Sequence, residues 1–199
     1  AGFGHIEIWD DDFVEITNLN RQIAHDNNQI GIDKANSLAA ACSRLNPNIL
    51  IIPKVKKIDS SSSIKGFDLI FDCSDNPETK YILNLLSHNY NKILISGSAV
   101  QMEGQLSIWK SGVDKIYPCY ECVFPKTIDK APTTNCRDAG IIGSITGLIA
   151  SMQVTEGIKE IALKKYSSTA GYLFLYDGIN QSLDKIKLIK NIDCPVCKN

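Results

Sequence analysis

The sequence predicts an α/β protein whose main sheet is doubly wound and mostly parallel, with antiparallel strands near the C-terminus. Two observations support this fold class. Apolar runs of strand length alternate along the chain with segments whose apolar residues recur at helical spacing. The last two apolar runs, at 172–178 and 184–190, follow each other closely and predict a terminal antiparallel hairpin. With 199 residues, 44% of them hydrophobic, the chain is long enough for one domain with a single large core.

The first part of the chain predicts strand, helix and strand in that order. Residues 5–9 read HIEIW, with apolar residues in alternation, and predict a strand that ends in carboxylates. A helix is expected from Asp33, because apolar residues recur at helical spacing until Asn46-Pro47 stops the pattern. The apolar run ILIIPKV, at 49–55, then predicts the second strand.

The middle of the chain continues the alternation. The segment FDLIFDCSDN, at 67–76, predicts a buried strand that ends in acidic residues, and Pro77 can begin the helix that follows. KILISGSAV, at 92–100, predicts another strand. A further strand is expected at 105–110, after a turn formed by Glu103 and Gly104.

The longest helix is expected within 139–165, where small and apolar residues suit a helix that is buried on several sides. No internal repeat and no linker interrupts the chain. Residues 1–199 are therefore predicted to form one Rossmann-like domain.

Composition and charge exclude several classes of partner. The 21 basic and 22 acidic residues give a net charge of −1 and are scattered, so no electrostatic footprint for nucleic acid or an anionic membrane is present. The longest weakly charged run, 139–154, is too short to cross a bilayer, and no basic and apolar signal segment is found. We expect a cytoplasmic protein with no nucleic-acid or membrane partner.

Four cysteines form two C-x-x-C pairs, at Cys119 and Cys122 and at Cys194 and Cys197. Each pair can place two sulfurs on one ion, so the four predict a tetrahedral structural zinc site that joins a mid-chain loop to the C-terminal end. Redox pairs or unmetallated cysteines are the alternatives, which a reducing compartment makes less favourable.

A second candidate site begins at the first strand end. A carboxylate such as Asp10 can bind ribose hydroxyls in a doubly wound sheet, although a solvated loop or a helix N-cap is the alternative. Asn18, Arg21 and Lys34 could hold the oxygens of a triphosphate, and Asp75 could bind Mg²⁺. Surface salt bridges for the two cations and helix capping for Asp75 remain the alternatives.

Five sequence blocks resemble one known family when taken together. They are D-x-D-x-V-E-x-x-N-L-N-R-Q at 10–22, I-G-x-x-K-A at 30–35, D-x-S-D-N at 72–76, C-Y-x-C at 119–122 and C-P-V-C at 194–197. The chain resembles the ThiF/MoeB/HesA family, bacterial relatives of ubiquitin-activating enzymes. The blocks occur in the same order and cover nearly all of the chain.

The resemblance implies a homodimeric, ATP-dependent adenylyltransferase. Such an enzyme activates the C-terminal glycine carboxylate of a small ubiquitin-like sulfur carrier of the ThiS/MoaD type, for thiamine or molybdopterin biosynthesis, and releases pyrophosphate. The cofactors implied are ATP, Mg²⁺ and zinc. In this reading Asp10 binds the ribose, Asp75 binds Mg²⁺, and the amide and the two cations bind phosphates. The nucleotide-binding residues implied are Asp10, Asp12, Asn18, Arg21, Lys34 and Asp75.

Cys136, in TTNCRDAGIIG, aligns with a cysteine that some family members use to form a persulfide or an acyl link to the carrier. A lone cysteine is otherwise a small packed hydrophobic residue. The resemblance therefore adds Cys136 to the candidate catalytic residues Arg21, Lys34 and Asp75.

The family pattern begins with a strand and a glycine-rich G-x-G-G-x-G turn that this sequence does not contain. Gly2 and Gly4 precede the first strand, whereas a phosphate loop follows a strand and opens a helix. We expect a separate fragment or chain to supply the turn, the alternative being a remnant that cannot bind ATP in the family's way. The competing functions are a non-catalytic, zinc-stabilised carrier-binding module and an NAD-binding oxidoreductase domain.

Overall fold

The computed structural model describes residues 1–126, 140–163 and 169–198. The chain divides into two compact units, Ala1–Asp59 and Ser60–Asn199. The predicted alternation of strands and helices is confirmed within each unit. That residues 1–199 act as one adenylation domain stays a prediction.

The first unit contains a two-stranded parallel sheet and one long helix. Strand β1 is His5–Trp9, helix α1 is Lys34–Leu45 and strand β2 is Leu50–Lys54. Two short 3-10 helices, Ile16–Asn18 and Asn27–Gln29, lie between β1 and α1. The helix predicted to start at Asp33 has Asp33 as its N-cap, so the sequence pattern located it to within one residue.

Helix α1 is buried on two sides. Its buried residues are all small and fall at every second position, so they form two i, i+4 pairs on opposite faces of the helix. They are Ala35, Ser37, Ala39 and Ala41.

The second unit contains a five-stranded sheet in the order β3-β4-β5-β6-β7. Its strands are Leu69–Asp72, Ile93–Val100, Glu103–Trp109, Tyr172–Asp177 and Ser182–Lys187. The pair β3–β4 is parallel, and the three following pairs are antiparallel, which confirms the predicted terminal hairpin.

The expectation of a mostly parallel sheet is wrong for the described residues. The parallel pairs are β1–β2 and β3–β4, in two separate sheets, against three antiparallel pairs. The reason is the connection after β4, which is a tight turn. A turn of this kind joins antiparallel neighbours, whereas a parallel neighbour needs a crossover of a dozen or more residues.

Three helices of the second unit fall within the described residues. Helix α2 is Pro77–Asn89, α3 is Tyr120–Val123 and α4 is Gly143–Ala162. Pro77 begins α2 as predicted, because its missing N–H would have no partner in a first helical turn. Among these residues no helix combines the length and the apolar character that crossing a membrane requires.

Helix α4 buries one face, which differs from the expectation of burial on several sides. Ile145, Ile149 and Gln153 follow one another at four-residue spacing and are buried. Leu148, by contrast, is 37% exposed on the outer face of this chain. The sequence did not reveal this because the outer face carries small and apolar residues as well.

The core of the second unit lies where α4 covers the sheet. Ile95, Leu106 and Ile108 are almost completely buried, and Met152 of α4 and Phe174 of β6 pack against them. Burial of each such side chain contributes on the order of 2 kcal/mol to stability. The core therefore fixes β4, β5 and β6 relative to one another.

The turn between β4 and β5 lies two residues earlier than predicted. Glu103 and Gly104 are already strand residues that pair with Val100 and Ala99. A Cβ atom at Gly104 would lie 2.5 Å from the side chain of Ile149. Gly104 therefore serves close packing of the strand against α4 and is not needed for a turn.

Candidate functional site

The carboxyl end of β1 carries three consecutive aspartates, two of which form one group with a lysine. Asp10 accepts a hydrogen bond from the backbone N–H of Asp12 at 2.9 Å. Asp12 in turn forms an ion pair with Lys34, with 2.9 Å between the carboxylate oxygen and Nζ. The backbone N–H of Lys34 also donates to the carbonyl of Asp12. We call these three residues the Asp–Lys group.

Burial changes the proton affinity of Asp10. It raises the pKa of Asp10 above 3.8, while the N–H of Asp12 and the ammonium of Lys34 act in the opposite direction. The side chain is half-buried at a strand end, which is the position where a carboxylate can accept hydrogen bonds from ribose hydroxyls.

Asn18 and Arg21 lie in and just after the first 3-10 helix. Asn18 is buried, and its Oδ1 accepts the backbone N–H of Glu15 at 2.9 Å. Arg21 Nη1 donates to the carbonyl of Thr17 at 2.9 Å and to Oδ1 of Asn20 at 3.0 Å. A guanidinium has five N–H donors, and these bonds use Nη1 alone. Within the part of the chain that the structure describes, neither residue is hydrogen-bonded to the Asp–Lys group.

His25 is a residue near this group that sequence reasoning missed. Its Nδ1 lies 2.7 Å from the hydroxyl oxygen of Ser37, which is buried in α1. Burial lowers the pKa of His25, and the positive charge of Lys34 lowers it further. No spacing rule connects His25 to Ser37, so the sequence carried no signal for this contact.

Asp75 belongs to the second unit, where it lies in the turn between β3 and α2. It is exposed, and no hydrogen bond or ion pair to it occurs among the described residues. The neighbouring Asn76 is the N-cap of α2 and accepts the N–H of Thr79 at 2.9 Å. The capping alternative for Asp75 is therefore wrong, and its carboxylate remains a suitable ligand for a hard cation such as Mg²⁺.

The end of β3 also holds a buried ion pair that sequence reasoning missed. Asp72 lies 2.8 Å from Lys80 Nζ, and the two side chains are 0% and 12% exposed. Asp72 further accepts hydrogen bonds from the hydroxyl of Ser96 and from Ser74. The sequence analysis assigned no role to Lys80.

A cavity of about 70 Å³ adjoins this ion pair. Lys80 and Ser96 line it, together with Ser107 and Trp109 of β5 and Tyr120 of α3. Ser107 Oγ and Trp109 Nε1 are buried and have no hydrogen-bond partner in the described parts of the chain. A small polar group or water could satisfy both.

The four cysteines of the two C-x-x-C pairs come together as predicted. Their Sγ atoms all lie within 4.8 Å of one another. Cys119 Sγ lies 3.8 Å from Cys122 and 3.5 Å from Cys194, and Cys122 lies 3.3 Å from Cys197. These distances are too long for a disulfide and close to the roughly 3.8 Å between sulfurs in a tetrahedral zinc–thiolate site.

The surroundings of the cysteines also suit a structural metal. Burial raises the pKa of Cys119, and raises that of Cys197 to about 11. Burial acts on Cys194 in the same direction but is outweighed by backbone N–H groups of Cys197 and Val196, so its pKa is lowered. A cation bound among the sulfurs would stabilise their thiolate forms. Asn84 of α2 holds this loop by donating to Cys119 Sγ and accepting the N–H of Tyr120.

Comparison with known proteins identifies the family. The model of the ThiF family matches residues 1–196. The chain belongs to the ThiF family. It is 38% identical over 205 residues to the adenylyltransferase and sulfurtransferase MOCS3 of Culex quinquefasciatus, and 35% identical over 203 residues to that of Xenopus laevis.

This ThiF-family chain spans less than half the length of these curated relatives. The matches cover 100% of the chain, but 45% of the Culex protein and 44% of the Xenopus protein. The resemblance inferred from the sequence blocks is thereby confirmed at the level of the family.

Solved structures confirm that the fold is ThiF-like. E. coli MccB with ATP superimposes with a TM-score of 0.81 at 21% identity, covering 98% of this chain and 59% of MccB. E. coli MccB with its selenomethionine MccA superimposes with a TM-score of 0.82, also at 21% identity, covering 98% of this chain and 60% of MccB.

Cys136, the remaining candidate residue from the sequence, lies outside the described residues.

Proposed function

We propose that this ThiF-family chain adenylates the C-terminal glycine carboxylate of a small ubiquitin-like carrier protein. The observation that carries the proposal is the Asp–Lys group at the end of β1, in a chain whose relatives bear the name adenylyltransferase. A sulfur carrier of the ThiS/MoaD type, acting in thiamine or molybdopterin biosynthesis, is the proposed substrate. The proposed assembly is a homodimer in the cytoplasm.

The proposed reaction is a displacement at the α-phosphorus of ATP. A carboxylate oxygen of the carrier forms a bond to this phosphorus, and the bond to the β-phosphate oxygen breaks and releases pyrophosphate. No side-chain base is required, because a carboxylate is already ionised at neutral pH. The main barrier is the repulsion between the anionic carboxylate and the polyphosphate, which cations offset.

The chain's own residues would supply much of this compensation. Lys34 can keep Asp12 as a partner and still bind a phosphate, since an ammonium has three N–H donors. Arg21 would bind a second phosphate through the guanidinium donors other than Nη1. Asn18 would bind a phosphate oxygen through its amide NH2, because only its Oδ1 is used by Glu15. Asp10 would accept hydrogen bonds from the ribose. Mg²⁺ bound through Asp75 would neutralise charge on the phosphates.

Two further roles complete the proposal. Zinc held by the two C-x-x-C pairs would be structural, because four thiolates leave no open position for a substrate. Cys136 is the proposed nucleophile of a second step, in which its thiolate attacks the acyl-adenylate carbonyl, a thioester forms and AMP leaves. A Cys136→Ala variant should then keep adenylation and lose the thioester.

The test is carrier-dependent exchange between ATP and pyrophosphate, measured on the intact protein. Lys34→Met should lower exchange by at least tenfold, since it removes a cation from the phosphates. Lys56→Met is the matched control, because Lys56 forms an exposed ion pair with Asp59 in the same unit.

The competing functions give different results in the same assay. Carrier binding without any exchange would indicate the non-catalytic carrier-binding module. Binding of NAD with no binding of ATP would indicate the oxidoreductase domain. Equal exchange in wild type and Lys34→Met would contradict the proposed role of the Asp–Lys group.

A further inference from the structure

The turn that carries Asp75 is held by a buried carboxylate that has no place in the reaction proposed above. The side chain of Asp72 is 0% exposed and accepts four hydrogen bonds. Their donors are Lys80 Nζ at 2.8 Å, Ser96 Oγ at 2.9 Å, and the hydroxyl and backbone N–H of Ser74 at 2.6 Å and 3.0 Å. A carboxylate has about four lone-pair positions, so Asp72 is fully used.

These donors come from three different elements. Lys80 belongs to α2, Ser96 to β4, and Ser74 to the turn itself, one residue before Asp75. On the other side of Asp75, Asn76 is fixed as the N-cap of α2. The backbone on both sides of Asp75 is therefore anchored, while its carboxylate is exposed.

Helix α4 also forms hydrogen bonds to the end of β3. Gln153 is buried, and its Nε2 donates to the backbone carbonyl of Asp72 at 2.9 Å and to that of Ile95 at 3.1 Å. The backbone and the side chain of Asp72 are thus held by separate elements. A turn that carries a metal ligand has to be rigid, so that the ligand keeps one position. The hydrogen bonds of Asp72 give this rigidity to the turn that carries Asp75.

Stability alone is a weak reason for burying this ion pair. The cost of removing two charges from water often exceeds their attraction, and apolar residues of similar volume can stabilise a core equally well. A second buried pair, Lys110 with Glu160 at 2.7 Å, lies in the same unit, and neither of its residues donates to Asp72 or is bonded to Ser74 in the hydrogen bonds given above. The Asp72–Lys80 pair differs from it in being bonded to the turn.

We infer that Asp72 is a positioning residue for the metal-binding carboxylate of Asp75. The inference rests on the proposed function, in which Asp75 binds the Mg²⁺ of the nucleotide. Asp72 does not contact the metal. It acts through Ser74, by fixing the backbone from which the side chain of Asp75 projects.

The test is direct binding of Mn²⁺, as a probe for Mg²⁺, in the presence of a non-hydrolysable ATP analogue, followed by electron paramagnetic resonance on the intact protein. The double variant Asp72→Ala with Lys80→Met removes both charges together with the acceptor of the Ser74 bonds, and leaves no unpaired buried ion. We expect its dissociation constant for Mn²⁺ to rise at least tenfold, as is common when a group that orients a metal ligand is changed.

The matched control is Lys110→Met with Glu160→Ala, which removes the second buried pair of the unit in the same way. Its Mn²⁺ affinity should stay within about twofold of wild type, as expected for a change that does not reach the metal ligands. Thermal unfolding of both double variants shows whether their stabilities are comparable. A merely structural role for Asp72 predicts equal Mn²⁺ affinity in the two double variants, and that result would overturn the inference.

Two single variants keep the test decisive. Ser74→Ala removes only a hydroxyl donor in the turn, so it should fold normally and weaken Mn²⁺ binding by a few fold. Asp75→Asn should abolish binding. If Asp75→Asn abolishes binding while the Asp72 and Ser74 variants bind as wild type, the inference fails and the proposed function stands. If Asp75→Asn binds Mn²⁺ normally, the proposed role of Asp75 fails, and the inference fails with it.

Discussion

At the scale of single residues, Asp10 is half-buried, which disfavours its charged form, and it is also the residue that we propose binds the ribose. Burial raises its pKa, so the folded state holds a proton on Asp10 more tightly than the unfolded state does. The contribution of this group to stability is therefore fully present at pH values below its unfolded pKa and is lost as the pH rises through the folded pKa. At neutral pH the half-buried, ionised carboxylate lowers the free energy of unfolding. In the proposed function this cost accompanies a carboxylate that binds the nucleotide.

Asp10→Asn should separate these two effects. We expect the variant to unfold about 1–3 °C higher than wild type at pH 7, since the half-buried charge is gone and an amide oxygen can still accept the N–H of Asp12. The two proteins should unfold at similar temperatures at about pH 3, which is below the ordinary pKa of an aspartate, so that the carboxyl group is mostly protonated in both the folded and the unfolded state. The KM for ATP should rise severalfold, which corresponds to the loss of about 1 kcal/mol of binding.

Thermal unfolding from pH 3 to 8 and nucleotide titration check this prediction. Asp11→Asn is the control, because Asp11 is an exposed neighbour for which no hydrogen bond is seen among the described residues. A variant at Asp10 that is less stable than wild type at pH 7, or that binds ATP unchanged, would contradict the interpretation.

The residue types at the strand end were predictable, but their partners were not. The carboxylate of Asp10 and the cation of Lys34 were recognised from sequence blocks, whereas the Asp12–Lys34 ion pair joins residues 22 positions apart. Asp72 was recognised only as part of the D-x-S-D-N block, and its pairing with Lys80 was not predicted. A buried ion pair leaves no local pattern, because its cost and its compensation depend on which elements meet in space.

At the scale of elements, α4 packs closely against the sheet because Gly97 of β4 has no side chain at the contact. A Cβ atom at Gly97 of β4 would lie 2.5 Å from the amide of Gln153 and 2.9 Å from Ile149. Gln153 bonds the backbone carbonyls of Asp72 and Ile95, so displacing its amide would break both hydrogen bonds.

Gly97→Ala should therefore destabilise the protein by roughly 1–3 kcal/mol, the usual cost of overpacking a filled core. Gly147→Ala is the matched control on the outer face of α4, where an added Cβ meets nothing within 4 Å. It should stabilise the helix by about 0.5–1 kcal/mol, because alanine is the better helix former. Urea unfolding of the two variants measures both effects, and equal stabilities would show that the close approach at Gly97 is not important.

The elements themselves were largely predictable from periodicity. The strands β1 to β4, the helices α1 and α2 and the terminal hairpin all lie within a few residues of the patterns that predicted them. The turn after β4 was assigned to Glu103 and Gly104 because glycine is common in turns. Glycine also occurs where a helix must approach a strand closely, and a single sequence does not separate these two causes.

At the scale of the molecule, the four cysteines connect distant parts of the second unit. Cys119 and Cys122 flank the start of α3, and Cys194 and Cys197 lie beyond the last strand. A metal bound between them would close a loop of more than half of this unit, which contributes most to stability when the loop is long.

Removal of zinc should therefore loosen the C-terminal segment. We expect about one zinc per chain by elemental analysis, as a site with four thiolates binds one ion. A strong chelator, or Cys197→Ser, should lower the unfolding temperature by at least about 10 °C, because structural zinc contributes several kcal/mol. Limited proteolysis should then cut at 188–198 first.

Cys42→Ser is the control, since Cys42 lies in α1 and is outside the cluster. It should keep the zinc and unfold as wild type. A protein without zinc whose unfolding temperature and proteolysis pattern do not change would contradict a structural metal site.

The sequence by itself determined the kinds of element, their order, the family and the residue types of each candidate site. It could do so because periodicity, C-x-x-C spacing and short motifs are local properties of a chain. The tertiary structure alone decided which sheet neighbours are antiparallel, that Asn76 and not Asp75 caps α2, and that Asp72 and Lys80 form a buried pair. These depend on residues far apart in the chain that meet only after folding, where burial and packing set the energy of each contact.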